Sequence, residues 1–330
     1  MDINNLLQKP GIEREVNSRI GKLNDFKQLY GGSNRKFYRL TGTRNRSLIL
    51  LYDDNSRMLD RTVQISKYLN SFANLAPKIY QNFWEHHIVL MQDLGDLSLE
   101  VLYKNCDDRL SVYERAIDML ILLQSSIYRE EPPVIVKKTV FGYEKLLGET
   151  EQFVEYFIDK YNDKKQTNLS NLHSEFDKLA LLIAEQPKVY MHRDLQSKNI
   201  LIHDDIFKVI DLQEGCIGPY TYDLAALLMD PYIMLPKDIY EKLLEIYFQK
   251  IERLGFVDII YDTFQRDFQR SAISRLMQAL AAFERLSLSG KDEFSQYIKP
   301  GFSRLFSLVD DKEFPILFDL LRTLSPEIIV

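Results

Sequence analysis

This sequence predicts an α+β chain, and three observations carry the prediction. Short extended runs rich in Leu, Ile, Val and aromatic residues, at 37–41, 47–52, 78–83 and 87–91, fall in the first part of the chain. From Leu97 onward the apolar residues recur mainly at helical spacing. Among those helices lies one more extended pair, 200–202 and 206–210, flanking the polar turn His203-Asp204-Asp205, which is a hairpin signal. At 330 residues the chain has room for two lobes.

The hairpin matters for what flanks it. A loop before it carries Asp194 and, five residues on, Asn199; Asp211 follows it directly. Three oxygen-bearing side chains are thus delivered to one end of a small sheet. Phosphoryl transfer from a magnesium nucleotide needs such a set: one carboxylate to take the hydroxyl proton, and an amide and a carboxylate as hard oxygen ligands for the metal. The plain alternative is a polar loop whose Asp and Asn cap turns. All three positions agree with their strand context, and this favours the chemistry.

His192-Arg193-Asp194 with Asn199, then Asp211, resembles the catalytic loop and metal-binding aspartate of the protein-kinase-like superfamily. The continuation through Asp223-Leu-Ala-Ala-Leu-Leu is similar to the small-molecule branch, the aminoglycoside phosphotransferase and choline kinase family. Within that branch, Gly218-Pro219, Tyr222-Asp223-Leu224 and Asp230-Pro231-Tyr232 are most similar to bacterial kinases of cell-wall amino sugars. Those enzymes phosphorylate the anomeric hydroxyl of N-acetylmuramate and N-acetylglucosamine. The resemblance implies a two-lobe fold, with a small antiparallel-sheet lobe over residues 1–92 and a mostly helical lobe over 93–330. It implies ATP and Mg2+, with Asp194 as catalytic base and Asn199 and Asp211 as metal ligands. Its motifs cover residues 30–232.

In chain order, Ile12, Val16 and Ile20 mark one side of a short helix. Gly31-Gly32-Ser33-Asn34-Arg35-Lys36 then precedes the first strand and resembles a nucleotide loop. Glycines let backbone N–H groups approach phosphates, and Ser33 adds a hydroxyl donor. Kinases of the wider superfamily usually carry a lysine on the strand at 47–52, but Ser-Leu-Ile-Leu-Leu-Tyr has none, as in the amino-sugar kinases that the chain most resembles. Arg35, Lys36, Arg39 and Arg57 are the nearest basic candidates. Residues 57–72 read as a helix ended by Leu75-Ala76-Pro77. Gln92-Asp93-Leu94-Gly95-Asp96 resembles the connector between lobes, where backbone groups read the adenine edge, and the adenine is expected near Met91, Gln92, Asp93 and Leu94.

The helices of the second lobe are expected over 112–127, 143–161, 172–185, 222–229, 236–254, 261–288, 291–309 and 316–324, with a polar loop over 159–169. Asp223 falls in the first turn of its helix, where an acid is stabilised, and is expected to support the catalytic loop. Gln196 stands where many relatives carry Lys or His, and Lys198 is the candidate replacement for that charge. For the acceptor, Gln213, Glu214 and Asp230 can hydrogen-bond sugar hydroxyls, and Tyr220 or Tyr232 can stack on a pyranose. Arg275 or Arg285 can meet a muramate carboxylate; a surface ion pair is the plainer reading of each.

A net charge of -6 argues against a nucleic-acid binder. Cys106 and Cys216 lack metal spacing and read as reduced thiols of a cytoplasmic protein. The pair His86-His87, read as strand, is a poor chelate because adjacent side chains diverge. The start of the chain carries no signal-peptide pattern, no apolar stretch is long enough to span a bilayer, and no obligate protein partner is implied. The expected partner is a small-molecule acceptor, a sugar first. The rival readings are a kinase of choline, an aminoglycoside or another sugar, and a catalytically inactive nucleotide-binding module. A protein kinase fits less well, since no Ala-Pro-Glu follows Asp211.

Overall fold

The computed structural model describes residues 3–29, 35–161, 169–255 and 258–329. The expected glycine-rich loop, Gly31 to Asn34, lies outside them. The first lobe is an antiparallel sheet of β1 (Leu23–Leu29), β2 (Lys36–Gly42), β3 (Ser47–Tyr52), β4 (Ile79–Phe83) and β5 (Ile88–Gln92), in the order β1-β2-β3-β5-β4. Side-chain alternation gives it two apolar faces. Tyr38, Leu40, Leu48, Leu50, Ile88 and Leu90 face α1 (Ile3–Leu7) and α2 (Ile12–Ile20). Ile49, Leu51, Val89 and Met91 face Leu59 and Val63 of α3 (Ser56–Phe72). Asn55 caps α3 by accepting from the Met58 amide at 3.3 Å.

Two local readings are corrected here. The run that forms β1, Leu-Asn-Asp-Phe-Lys-Gln-Leu, is an edge strand with no buried residue, so no apolar alternation marked it. His86 and His87 are not in a strand. His86 ends a 3-10 turn, and His87 takes a left-handed φ of 57° that turns the chain into β5.

Helix α3 serves both lobes. Its Ile65, Tyr68 and Leu69 enter the large core of the second lobe, opposite the face that meets the sheet. The second lobe begins with α4 (Leu99–Asn105), α5 (Arg109–Arg129), α6 (Val134–Lys137) and α7 (Tyr143–Phe153). A π turn, Val154–Ile158, leads into α8 (Asp159–Tyr161), and α9 (Leu169–Ala184) approaches the segment that carries Asp194. There β6 (Lys188–Met191) pairs with β9 (Cys216–Pro219), and between them β7 (Ile200–His203) pairs with β8 (Ile206–Val209). The β7–β8 turn uses Asp204 and Asp205, both at positive φ, as a two-residue hairpin turn requires. The strands β6 and β9 were not foreseen; each is only four residues long.

The chain closes with α10 (Tyr222–Leu228), α11 (Lys237–Leu254), α12 (Tyr261–Leu288), α13 (Ile298–Leu308) and α14 (Pro315–Ile329). Residues 291–309 are not one helix: Asp292–Tyr297 winds as a 3-10 turn before α13. Helix α14 runs past the expected end at 324, with Pro326 inside it. Of the expected loop 159–169, residues 159–161 are helical and 162–168 lie outside the described residues. The 28-residue α12 is the spine of this lobe, buried from Phe264 to Glu284 along one side.

Candidate active site

The site is built where β6, β7 and β8 end against α10 and α12. Strand β6 stops at Met191, and the loop that follows is held by one buried acid. Asp223 accepts the backbone N–H of His192 at 2.5 Å and of Arg193 at 2.9 Å. Burial pushes its carboxyl up to about 6, against the opposing pull of His192 and the two backbone donors. His192 donates Nε2–H to the Ile210 carbonyl at 2.8 Å and so ties the loop to the end of β8. Arg193 takes a left-handed φ of 77°. Its guanidinium pairs with Glu214 at 2.6 Å and Glu149 at 3.3 Å. Asp230, 2% exposed, accepts from the Ser197 amide at 2.7 Å and the Tyr232 amide at 2.9 Å. Two buried acids therefore hold the loop from behind, one at each end.

On the open side of the loop is Asp194. Its Oδ2 accepts from Asn199 Nδ2 at 3.1 Å and Gln196 Nε2 at 3.2 Å, and its Oδ1 accepts from Arg275 Nη2 at 2.7 Å. Asn199 Nδ2 also donates to the Asp194 carbonyl at 2.9 Å. With the amide nitrogen spent on Asp194, Oδ1 of Asn199 is left as the free oxygen. Asp211, at a left-handed φ of 66°, accepts from Arg35 of the first lobe, and Arg35 Nη1 donates to Gln213 at 2.6 Å.

These oxygens suit magnesium. Asn199 Oδ1 and the Asp211 carboxylate are two hard donors, and among the described residues no group of three or more His, Cys, Asp or Glu could hold a metal ion by itself. A sparse protein set of this kind leaves positions for phosphate oxygens and water, which is how magnesium is usually held on a nucleotide.

The cleft between the lobes has a volume of about 1130 Å³. Its first-lobe wall carries Arg35, Lys36, Ile49, Leu51 and Met91, and Gln92, Asp93 and Leu94 line its back. Arg39 of β2 pairs with Asp93 at 2.7 Å and Asp96 at 2.8 Å, tying the connector to the sheet. On the far wall stand Tyr232, Gln278, Phe283, Arg285 and Phe294. Lys198 Nζ lies 3.8 Å above the Tyr232 ring and 5.2 Å from that of Tyr297, and burial lowers its pKa.

Most of the residues singled out in the sequence meet at this cleft, including Gln196, Lys198, Asn199, Gln213, Glu214 and Tyr232. Asp223 and Asp230 sit behind the loop instead. Tyr220 is corrected: it is fully buried and donates to Asp267 at 3.1 Å, so it offers no face to a sugar. Arg275 is corrected too: its side chain is 8% exposed and its guanidinium is engaged by Asp194, not free for an acceptor carboxylate. Arg285 is exposed at the rim, without an ion pair among the described residues.

One residue was missed altogether. Arg61 of α3, 4% exposed, donates to the carbonyls of Gln213 and Gly215 at 2.5 Å each, and to Ile135 and Thr139 at 3.0 Å. A charged residue among Leu59, Thr62, Val63 and Ile65, all buried, was the available signal.

A profile of the phosphotransferase enzyme family matches residues 26–256, and the chain belongs to that family. A curated N-acetylmuramate/N-acetylglucosamine kinase of Neisseria meningitidis serogroup B is 30% identical over 158 residues, 47% of this chain and 47% of its own. A protein of the same name from Pseudomonas aeruginosa is 25% identical over 68% of this chain and 65% of its own. The match thus spans about half the length of the Neisseria relative and just under two thirds of the Pseudomonas one. Among solved structures, choline kinase from Cryptosporidium parvum Iowa II aligns with a TM-score of 0.64 at 16% identity, over 97% of this chain and 99% of that one. A thermostable aminoglycoside phosphotransferase mutant, in a ternary complex with AMP-PNP and hygromycin B, gives 0.57 at 12% identity, over 94% and 98%. Both share the two-lobe kinase-like fold.

Proposed function

We propose that this protein is an ATP-dependent kinase that phosphorylates the anomeric hydroxyl of an N-acetylated amino sugar, N-acetylmuramate or N-acetylglucosamine. The observation that carries the kinase reading is the convergence of Asp194, Asn199 and Asp211 on one interlobe cleft, with Arg35 reaching Asp211 from the opposite lobe. The sugar comes from the names of the curated relatives, and it suits a far wall of aromatic and hydrogen-bonding side chains. In this reading the protein acts in the cytoplasm on amino sugars recycled from the cell wall.

The roles follow from the chemistry. Met91 to Leu94 border the adenine. Arg35 and Lys36, with the backbone from Gly31 to Asn34, meet the phosphates in place of a strand lysine. Asn199 and Asp211 would hold Mg2+, which would supply charge neutralisation at the phosphates. Asp194 orients the acceptor hydroxyl and takes its proton as the new O–P bond forms and the bond to the ADP oxygen breaks, its electron pair leaving with ADP. Positioning and charge neutralisation carry most of the rate in such a transfer.

A screen of acceptors with magnesium-ATP, read by ADP release, tests the proposal. N-acetylmuramate, N-acetylglucosamine, choline and an aminoglycoside are compared under the same conditions. Turnover of either amino sugar well above the cationic acceptors supports it. Efficient turnover of a cationic acceptor with neither sugar phosphorylated defeats the substrate and leaves the kinase.

A further inference from the structure

Arg275 lies mid-way along α12 among Ala272, Ile273, Leu276 and Met277, all buried, and is itself 7% exposed. A guanidinium in such surroundings needs a counter-charge and hydrogen-bond acceptors. Its nearby acids are already committed. Asp230 accepts two backbone amides, and Glu149 accepts the Tyr222 hydroxyl at 2.6 Å and pairs with Arg193. Among the described residues Asp194 is the carboxylate that Arg275 touches through Nη2, Gln278, one helical turn on, accepts from Nη1, and Nε has no hydrogen-bond partner.

The contacts on the two oxygens of Asp194 are unequal. Oδ1 receives a charge-assisted bond of 2.7 Å from a buried guanidinium. Oδ2 receives two side-chain amides, at 3.1 and 3.2 Å, near the long end of the range. An incoming hydroxyl displaces the weaker contacts. The guanidinium contact, the shorter and charge-assisted one, is the one expected to persist and hold the carboxylate.

We infer that Arg275 is the positioning residue of the candidate base: from α12 it clamps Asp194 Oδ1, leaving Oδ2 to receive the acceptor proton. It thereby brings to Asp194 the positive charge that the loop itself lacks at Gln196, while Lys198 points to the aromatic pair Tyr232 and Tyr297. The inference rests on the kinase reading above. In the transfer, the hydroxyl O–H bond breaks, its proton goes to Oδ2, the O–P bond forms and ADP leaves. Arg275 bonds to neither reacting partner and acts through Asp194 alone.

The test uses the full chain with Arg275→Gln, Arg275→Lys and Asp194→Asn, assayed with the acceptor that the wild type phosphorylates. The expected result for Arg275→Gln is a kcat about a hundredfold lower. The magnesium-ATP dissociation constant, by calorimetry, and the acceptor KM stay within about threefold. Arg275→Lys recovers about tenfold of the lost kcat. A purely structural role would move affinity, KM and melting temperature together. Three results overturn the inference: a kcat within about threefold of wild type in folded Arg275→Gln, a loss of nucleotide affinity as large as the loss of kcat, or unfolding of both Arg275 variants. Asp194→Asn separates the two levels. Near wild-type turnover there removes the base itself and this inference with it. A silent Asp194→Asn beside an active Arg275→Gln removes only the clamp.

Discussion

Arg61 on α3 donates Nε–H to the carbonyl oxygen of Gln213 at 2.5 Å, joining residues 152 positions apart. Gln213 lies two residues after the candidate metal ligand Asp211, so the helix that packs under the first-lobe sheet also grips the loop that follows Asp211. Strand β3 offers only Ile49 and Leu51 to the cleft. The tie between the first lobe and the loop after Asp211 is made by Arg61 on backbone carbonyls, and Arg35 adds a second tie to the Asp211 carboxylate.

Replacing Arg61 by Met should cost about 2–4 kcal/mol, because several carbonyls lose their donor and two of them are buried with it. It should also raise the magnesium concentration needed for half-maximal activity, and Arg61→Lys should restore part of both. Denaturant unfolding and a magnesium titration check this. Unchanged stability together with unchanged magnesium dependence would contradict the tie.

Arg35→Ala should weaken magnesium-ATP binding by about tenfold or more, as expected when a charged phosphate contact is removed. Lys36→Ala should act in the same direction and the double variant should be weakest. Calorimetry with magnesium-ATP gives the answer. Unchanged affinity and rate in all three variants would mean that the missing strand lysine is replaced by something else.

Asp223→Asn should lower kcat at least tenfold and destabilise the protein by about 1–3 kcal/mol. The amide presents an N–H to a backbone N–H where the carboxylate presented an oxygen, so either His192 or Arg193 loses its acceptor. Thermal unfolding and steady-state kinetics measure both effects. A fully active, fully stable variant would show that the loop holds its shape without this acid.

Burial pushes the Cys216 thiol up to about 12, well above its ordinary value. The sign follows from the unfolded chain, whose thiol ionises near 9: the stability held below that pH is lost as pH rises from about 9 through about 12. Cys216→Ala should remove that share of the alkaline loss, seen as a difference between the two unfolding curves above pH 9. A thiol reagent at pH 8 should label Cys106, which is half-buried, and reach Cys216 only after denaturation. Rapid labelling of both thiols in the native protein would contradict the buried β6–β9 pair.

What the sequence discloses and what it conceals divide along physical lines. That Asp194, Asn199 and Asp211 meet at one cleft was legible because their combined spacing around a hairpin resembles a known motif, although each residue type alone is common in turns. Asp223 was legible because an acid in the first turn of a helix has a local rationale, and the structure adds the two amides it accepts. Arg61 and Arg275 were not legible in their roles. Their partners lie 152 and 81 residues away, and only a charge inside an apolar helical stripe hinted at them. The same distance problem hid β6 and β9, whose pairing is decided by the hairpin folded between them. The polar β1 lacked alternation because it forms an edge and buries no residue fully.

The central claim is that Asp194 takes the acceptor proton while Asp211 holds the metal. Its most direct test is phosphorus NMR of the product formed from N-acetylmuramate or N-acetylglucosamine with magnesium-ATP, for wild type, Asp194→Asn and Asp211→Asn. The account predicts an anomeric phosphate from the wild type, none above background from either variant, and folded proteins with native melting transitions throughout. Near wild-type product from either variant, with these or any other acceptor, would contradict it.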